Sequence, residues 1–140
     1  MKKKKLKNTI LYYGLIGFII FYLFATYFII SGTTKNPNVK LADFTVSEDG
    51  TEITLILDNS NPANSVRTFT TMPNENAIFM DFYYAFGFGK HVFGAKDHFV
   101  IQVDKNCYAI LFARNNDYEL VLAKNIKTGQ WEIPVATEEK

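Results

Sequence analysis

Thr51-Glu-Ile-Thr-Leu-Ile-Leu57 alternates apolar and polar residues so that Ile53, Leu55 and Leu57 fall on one side of an extended chain. Successive side chains of a strand point to opposite faces, so this period of two marks a strand with one buried face. The same period recurs in His98-Phe-Val-Ile-Gln-Val103, Tyr108-Ala-Ile-Leu-Phe-Ala113 and Tyr118-Glu-Leu-Val-Leu-Ala123. It groups Phe99, Ile101 and Val103, then Tyr108, Ile110 and Phe112, then Tyr118, Leu120 and Leu122. Further strand candidates lie at 39–46, 66–71, 77–85 and 131–133. Turn residues separate them at Glu48-Asp-Gly50, Asn59-Ser-Asn-Pro62, Arg114-Asn-Asn-Asp117 and Lys127-Thr-Gly129. Short strands with turns every 8–12 residues or so predict an all-β unit at 39–135, a compact antiparallel β-sandwich of Ig-like or barrel-like type. A polar tail, 136–140, follows it.

Upstream the pattern changes. Residues 9–30 carry no charge and no proline, and residues 1–8 before them read Met-Lys-Lys-Lys-Lys-Leu-Lys-Asn. As a helix rising about 1.5 Å per residue, the apolar run reaches about 33 Å, enough for a hydrocarbon core of about 30 Å. Lys2, Lys3, Lys4, Lys5 and Lys7 make a basic head that holds the N-terminus in the cytoplasm and sends the rest of the chain outside. Tyr12 and Tyr13 at the inner end and Tyr27 at the outer end suit the two interfacial belts. A secretory signal is the competing reading, but its apolar region spans about 7–15 residues and ends at small-x-small. Here a cut after Gly32 would place Ile30 at the third position before it, so retention as an anchor is favoured. Gly14 and Gly17 are not spaced as GxxxG, which leaves self-association of the helix unsupported. Residues 31–38 read as a short polar linker.

The formal net charge of +1 hides an asymmetry: of 15 Lys and Arg, five lie in the head, leaving ten against 14 Asp and Glu outside it. That outer balance of −4 offers no clustered basic face for nucleic acid. The single cysteine, Cys107, begins an apolar strand and is expected to be buried as a small hydrophobe.

Phe44-Thr-Val-Ser-Glu-Asp-Gly-Thr-Glu-Ile-Thr54, Arg67-Thr-Phe69, Tyr84-Ala-Phe-Gly87 and Gly94-Ala-Lys-Asp97 come in that order, followed by Cys107, Arg114 and Tyr118-Glu-Leu-Val-Leu122. Over about residues 42–125 this order resembles small membrane-tethered or secreted bacterial β-domain proteins with no assigned activity. The resemblance implies a fold and a cell-envelope setting, and no catalytic residue.

Candidate chemistry is sparse. No Gly-x-Ser-x-Gly elbow is present, and the remote enzymatic option is Cys107 with His98. His91, His98, Asp97 and Asp104 are a weak metal set, and Asp58-Asn-Ser-Asn-Pro-Ala-Asn64 lacks the glycine and glutamate of a calcium loop. No catalytic residue, metal or cofactor is therefore expected. The most suggestive stretch is Phe79-Met-Asp-Phe-Tyr-Tyr-Ala-Phe-Gly-Phe-Gly89 with Lys90-His-Val-Phe-Gly94. Alternation puts Met80, Phe82 and Tyr84 on one face and Phe79, Asp81 and Tyr83 on the other, so both faces carry aromatic weight. A central strand buried on both faces is the plainer reading. The functional reading makes Asp81, Tyr83, Phe86, Phe88, Lys90 and His91 a contact surface for a protein or cell-wall partner. The resulting expectation is a single-pass cell-membrane protein, bound to the bilayer through 9–30 and displaying an extracytoplasmic interaction domain. The alternative is a small-ligand or glycan receptor built on the aromatic strand 79–89.

Overall fold

The computed structural model describes residues 2–61, 64–88 and 91–134, with side chains for 8–29, 32–61, 64–85 and 94–134. The tail at 136–140, Lys90, and the side chains of the five head lysines and of Phe86, Phe88 and His91 lie outside the described residues.

α1 (Lys2–Thr33) takes up the whole apolar run and continues beyond its expected end at residue 30. Within it, Asn8–Ile29 is long and apolar enough to cross a membrane, and none of that window is buried by the rest of the chain. The remainder is mostly β. β1 (Leu41–Val46), β2 (Glu52–Leu57), β3 (Val66–Asn74), β4 (Ala77–Tyr84), β5 (Phe86–Phe88), β6 (His91–Phe93), β7 (His98–Gln102), β8 (Ala109–Ala113), β9 (Tyr118–Lys124) and β10 (Trp131–Glu132) follow in chain order. They form a three-stranded sheet, β1-β2-β7, a five-stranded sheet, β10-β9-β8-β4-β3, and the separate pair β5-β6. The eight expected strands are those of the two larger sheets, while the aromatic stretch expected to run from 79 to 89 is divided between β4 and the separate β5-β6 ladder.

The antiparallel expectation needs one correction. β4 and β8 run parallel, from Ala77 opposite Ala109 to Met80 opposite Phe112. After β4 the chain crosses to the three-stranded sheet as β7, next to β2, and returns to the five-stranded sheet as β8. Such a crossover is what parallel neighbours require, because no tight turn can join them.

Both sheets contribute to one core. Ile53, Leu55 and Leu57 of β2 and Phe99 and Ile101 of β7 are buried together with Ile78, Met80, Phe82, Ile110, Phe112 and Leu122 of the other sheet. In β9 the alternation fails. Leu120 is 43% exposed while the neighbours Val121 and Leu122 are both buried. Ile110 lies opposite Leu122 but Leu111 lies opposite Leu120, so Val121 is the extra residue of a β-bulge that resets the face.

The centre of the core is aromatic. Phe82 is 1% exposed. Its ring lies 4.6 Å from Phe112, 6.1 Å from Phe99 and 6.3 Å from Phe69, measured between centroids. Phe99 belongs to the opposite sheet, so Phe82 joins the two layers. Phe82→Ala should cost about 3–5 kcal/mol of unfolding free energy, as for other buried Phe truncations. Urea unfolding followed by near-UV circular dichroism would measure it, with Val100→Ala, at a 54% exposed site on β7, changing little.

Candidate functional site

The functional candidates converge on the junction between α1 and the sheets, and the reason is a gap in the sheet. β8 accompanies β4 only as far as Met80, which leaves the edge of β4 from Asp81 to Tyr84 without a strand neighbour on that side. Backbone N–H and C=O groups left unpaired under cover cost about as much as a lost hydrogen bond, so the edge needs a partner. Residues 34–36 supply it. Lys35 forms an antiparallel bridge with Tyr83. The Asn36 N–H donates to the Phe82 carbonyl at 2.7 Å, and the Tyr84 N–H donates to the Thr34 carbonyl at 3.0 Å. The stretch expected as a plain linker, 31–38, is thus pinned to the domain it leads into.

Side chains reinforce the pinning. Asn36 is 1% exposed. Its Nδ2 donates to the Asn64 carbonyl at 3.0 Å, and its Oδ1 accepts from the Asn38 N–H at 3.0 Å, an Asx turn that steers the chain toward β1. Nη1 of Arg114 donates to the carbonyls of Pro37 at 3.1 Å and Val39 at 2.9 Å, and the guanidinium pairs with Glu119. On the helix side, the Arg67 guanidinium lies 4.4 Å above the centre of the Phe28 ring, a cation–π contact. A Cβ at Gly32 would sit 2.8 Å from Arg67 Nη1, so a side chain there would displace the flexible end of the arginine.

Asp81 is the charged centre of the junction. The expected surface role is corrected: Asp81 is 4% exposed, covered by the residues around it. Its Oδ2 accepts from Lys35 Nζ at 2.6 Å, and its Oδ1 accepts from the Tyr118 hydroxyl at 3.2 Å. The hydrogen bond to Asp81 raises the Lys35 pKa above its ordinary value, although the ammonium stays mostly in solvent. Burial, followed by the Asp81 charge, raises the Tyr118 pKa. Tyr83, the other described member of the expected contact set, is half-buried, with its hydroxyl 3.4 Å from Thr70 Oγ1. β5 is placed against α1 next to this junction and pairs with β6, with Phe86 opposite Phe93 and Phe88 opposite His91. Tyr12, Tyr13 and Tyr27 are all exposed, near the two ends of the apolar window.

Cys107 and His98 do not come together as a reactive pair. Cys107 is buried just before β8, its Sγ donates to the Ala109 carbonyl at 3.6 Å, and burial pushes the thiol pKa up. A catalytic thiolate calls for the opposite shift. His98 opens β7 in the other sheet, exposed, its Nδ1 2.7 Å from Asp97 Oδ1. The oxygen-rich 58–64 stretch begins as an Asx turn, with the Ser60 N–H donating to Asp58 Oδ1 at 2.8 Å. Among the described residues, no group of three or more His, Cys, Asp or Glu converges as a metal site.

A second feature is a groove of about 640 Å³ lined by Phe69, Thr71, Ile78, Val100, Ile101 and Gln102. β3 and β7 are edge strands of their sheets, held at one end where the Lys96 N–H donates to the Val66 carbonyl at 2.8 Å. The groove opens between them. It is apolar at its floor and polar at its rim.

Asp81→Ala leaves the Tyr118 hydroxyl without its acceptor under cover, so the cost should be about 1–3 kcal/mol. Asp81→Asn, which keeps an acceptor, should cost less, and Lys35→Met less again. Both raised groups predict the same pH response. Each keeps its proton longer folded than unfolded, so their stabilisation is complete below the unfolded values, 10.5 for Lys35 and 10.0 for Tyr118, and fades as pH rises through the folded ones. Thermal melts in detergent from neutral to strongly alkaline pH should show this late fall, and Asp81→Asn should reduce it to the part that burial of Tyr118 supplies.

No protein-family model, curated protein or solved structure matches the chain.

Proposed function

We propose that this is a single-pass envelope protein, N-terminus in the cytoplasm, that holds an extracytoplasmic β-sandwich of Ig-like or barrel-like type close to the bilayer. There it engages another protein or a cell-wall component. The observation that carries the reading is the helix 8–29, apolar on every side and unburied by the chain. A helix that is apolar all round belongs in a protein core or in a membrane, and the two sheets build their core without it. Leaving it in water would forfeit about 1.5–3 kcal/mol for each large apolar side chain. Over the whole helix that is on the order of tens of kcal/mol, more than the entire stability of about 5–15 kcal/mol typical of a domain. A bilayer removes the cost. The basic head supports the inside-out order, and the envelope setting agrees with the resemblance drawn from sequence. Retention of the anchor is supported by the Arg67–Phe28 contact, which cleavage after Gly32 would discard.

The open groove between β3 and β7 favours a second reading, a small-ligand or glycan receptor, with the site moved from the aromatic strand to the groove. The same groove serves the leading reading, since two edge strands beside an apolar floor suit an extended peptide.

Intact cells treated with a membrane-impermeant crosslinker should yield a chain of uncleaved mass in the carbonate-resistant membrane fraction, joined to one defined partner. Reaction without a protein adduct would favour the receptor. Reaction only after lysis would reverse the topology, and a chain shortened at Gly32 would end the anchor reading.

A further inference from the structure

The geometry points to the β5-β6 pair as a second membrane contact, lying in the outer interfacial layer beside α1. This rests on the anchor reading above and adds to it a lipid-binding surface on the domain.

The direction of the chain is the first support. At the junction, residues 36 to 34 lead back toward α1 while β4 advances from Phe82 to Tyr84 beside them. β4 therefore runs toward the helix end, and β5 begins two residues later, at Phe86, packed against α1. The apolar window of α1 ends at Ile29, so its exit from the bilayer falls close to this contact. The backbone of β5 is thus placed beside the part of α1 at which the anchor would leave the bilayer.

The second support is size and composition. Three residues of strand cover about 10 Å. Interfacial elements are buried by about 5–10 Å at the headgroup–acyl boundary. The two strands read Phe-Gly-Phe and His-Val-Phe, with no acidic residue. Arg67, on Phe28 at the outer end of α1, places a cation at the level where lipid phosphates lie.

Backbone chemistry sets both the need for a partner and the depth. The pair belongs to neither sheet, and an isolated two-stranded ladder is marginal in water. Its open edges also bar it from hydrocarbon, where unpaired backbone groups find no water. The interface, apolar on one side and hydrated on the other, meets both conditions.

Site-directed spin labelling of the full chain in vesicles of zwitterionic and anionic phospholipid tests the proposal. In a Cys107→Ala background, labels go on Val92→Cys in β6, Phe21→Cys in mid-helix and Val100→Cys on β7, with Phe88→Cys as a second probe of the pair should Val92→Cys fail to fold. The expected result is an oxygen-to-nickel-chelate accessibility ratio at 92 and at 21 several-fold above that at 100. A ratio at both 92 and 88 equal to that at 100, with 21 still lipid-exposed, would overturn the interfacial contact and leave the anchor standing. A water-exposed label at 21 would overturn the anchor and the inference with it.

Discussion

β4 outruns its neighbour. β8 pairs with it through Met80 and then diverges, and a sheet strand cannot leave the rest of its edge bare under cover. The stretch arriving from α1 fills that position, and the junction is arranged around this substitution. Lys35 lands beside Asp81, Asn36 turns the chain into β1, and β4 is directed at the helix end. The buried carboxylate and the placement of β5 both follow from one unmatched half-edge.

The same substitution changes how the helix is joined to the domain. A flexible linker of several residues would let a domain tumble relative to α1. Here the backbone is hydrogen-bonded within one residue of the helix's last turn, at Thr34, and Arg67 stacks on Phe28 of the helix. The domain is consequently held in a defined attitude. The β3–β7 groove keeps a fixed relation to the helix axis.

Most of the strands and their buried faces were legible in the sequence, because alternation reports directly on one-sided burial; their order and division between two sheets were not. Ile53, Leu55 and Leu57 are buried as their spacing requires, and so are Phe99, Ile101 and Val103. The pattern misled where a register device intervened, at Val121, since a bulge inserts one residue without any compositional mark. The junction was less legible. Thr34, Lys35 and Asn36 are polar and read as loop, and the strand they join lies more than forty positions away. Asp81 stood out from sequence for a sound reason, a carboxylate in an aromatic strand, but the partners that bury it come from two other segments. Arg67 appeared there only as a point of resemblance and Arg114 also as the start of a turn, and nothing local announces a contact with Phe28 or with the carbonyls of Pro37 and Val39.

The antiparallel seam between 34–36 and β4 also has a mechanical meaning. Tension applied between α1 and the sheets along the strand direction would enter through this seam. Hydrogen bonds arranged across such a pull share the load and must break together, unlike a zipper opened from one end. A tether of this kind transmits force into the domain without first paying out slack.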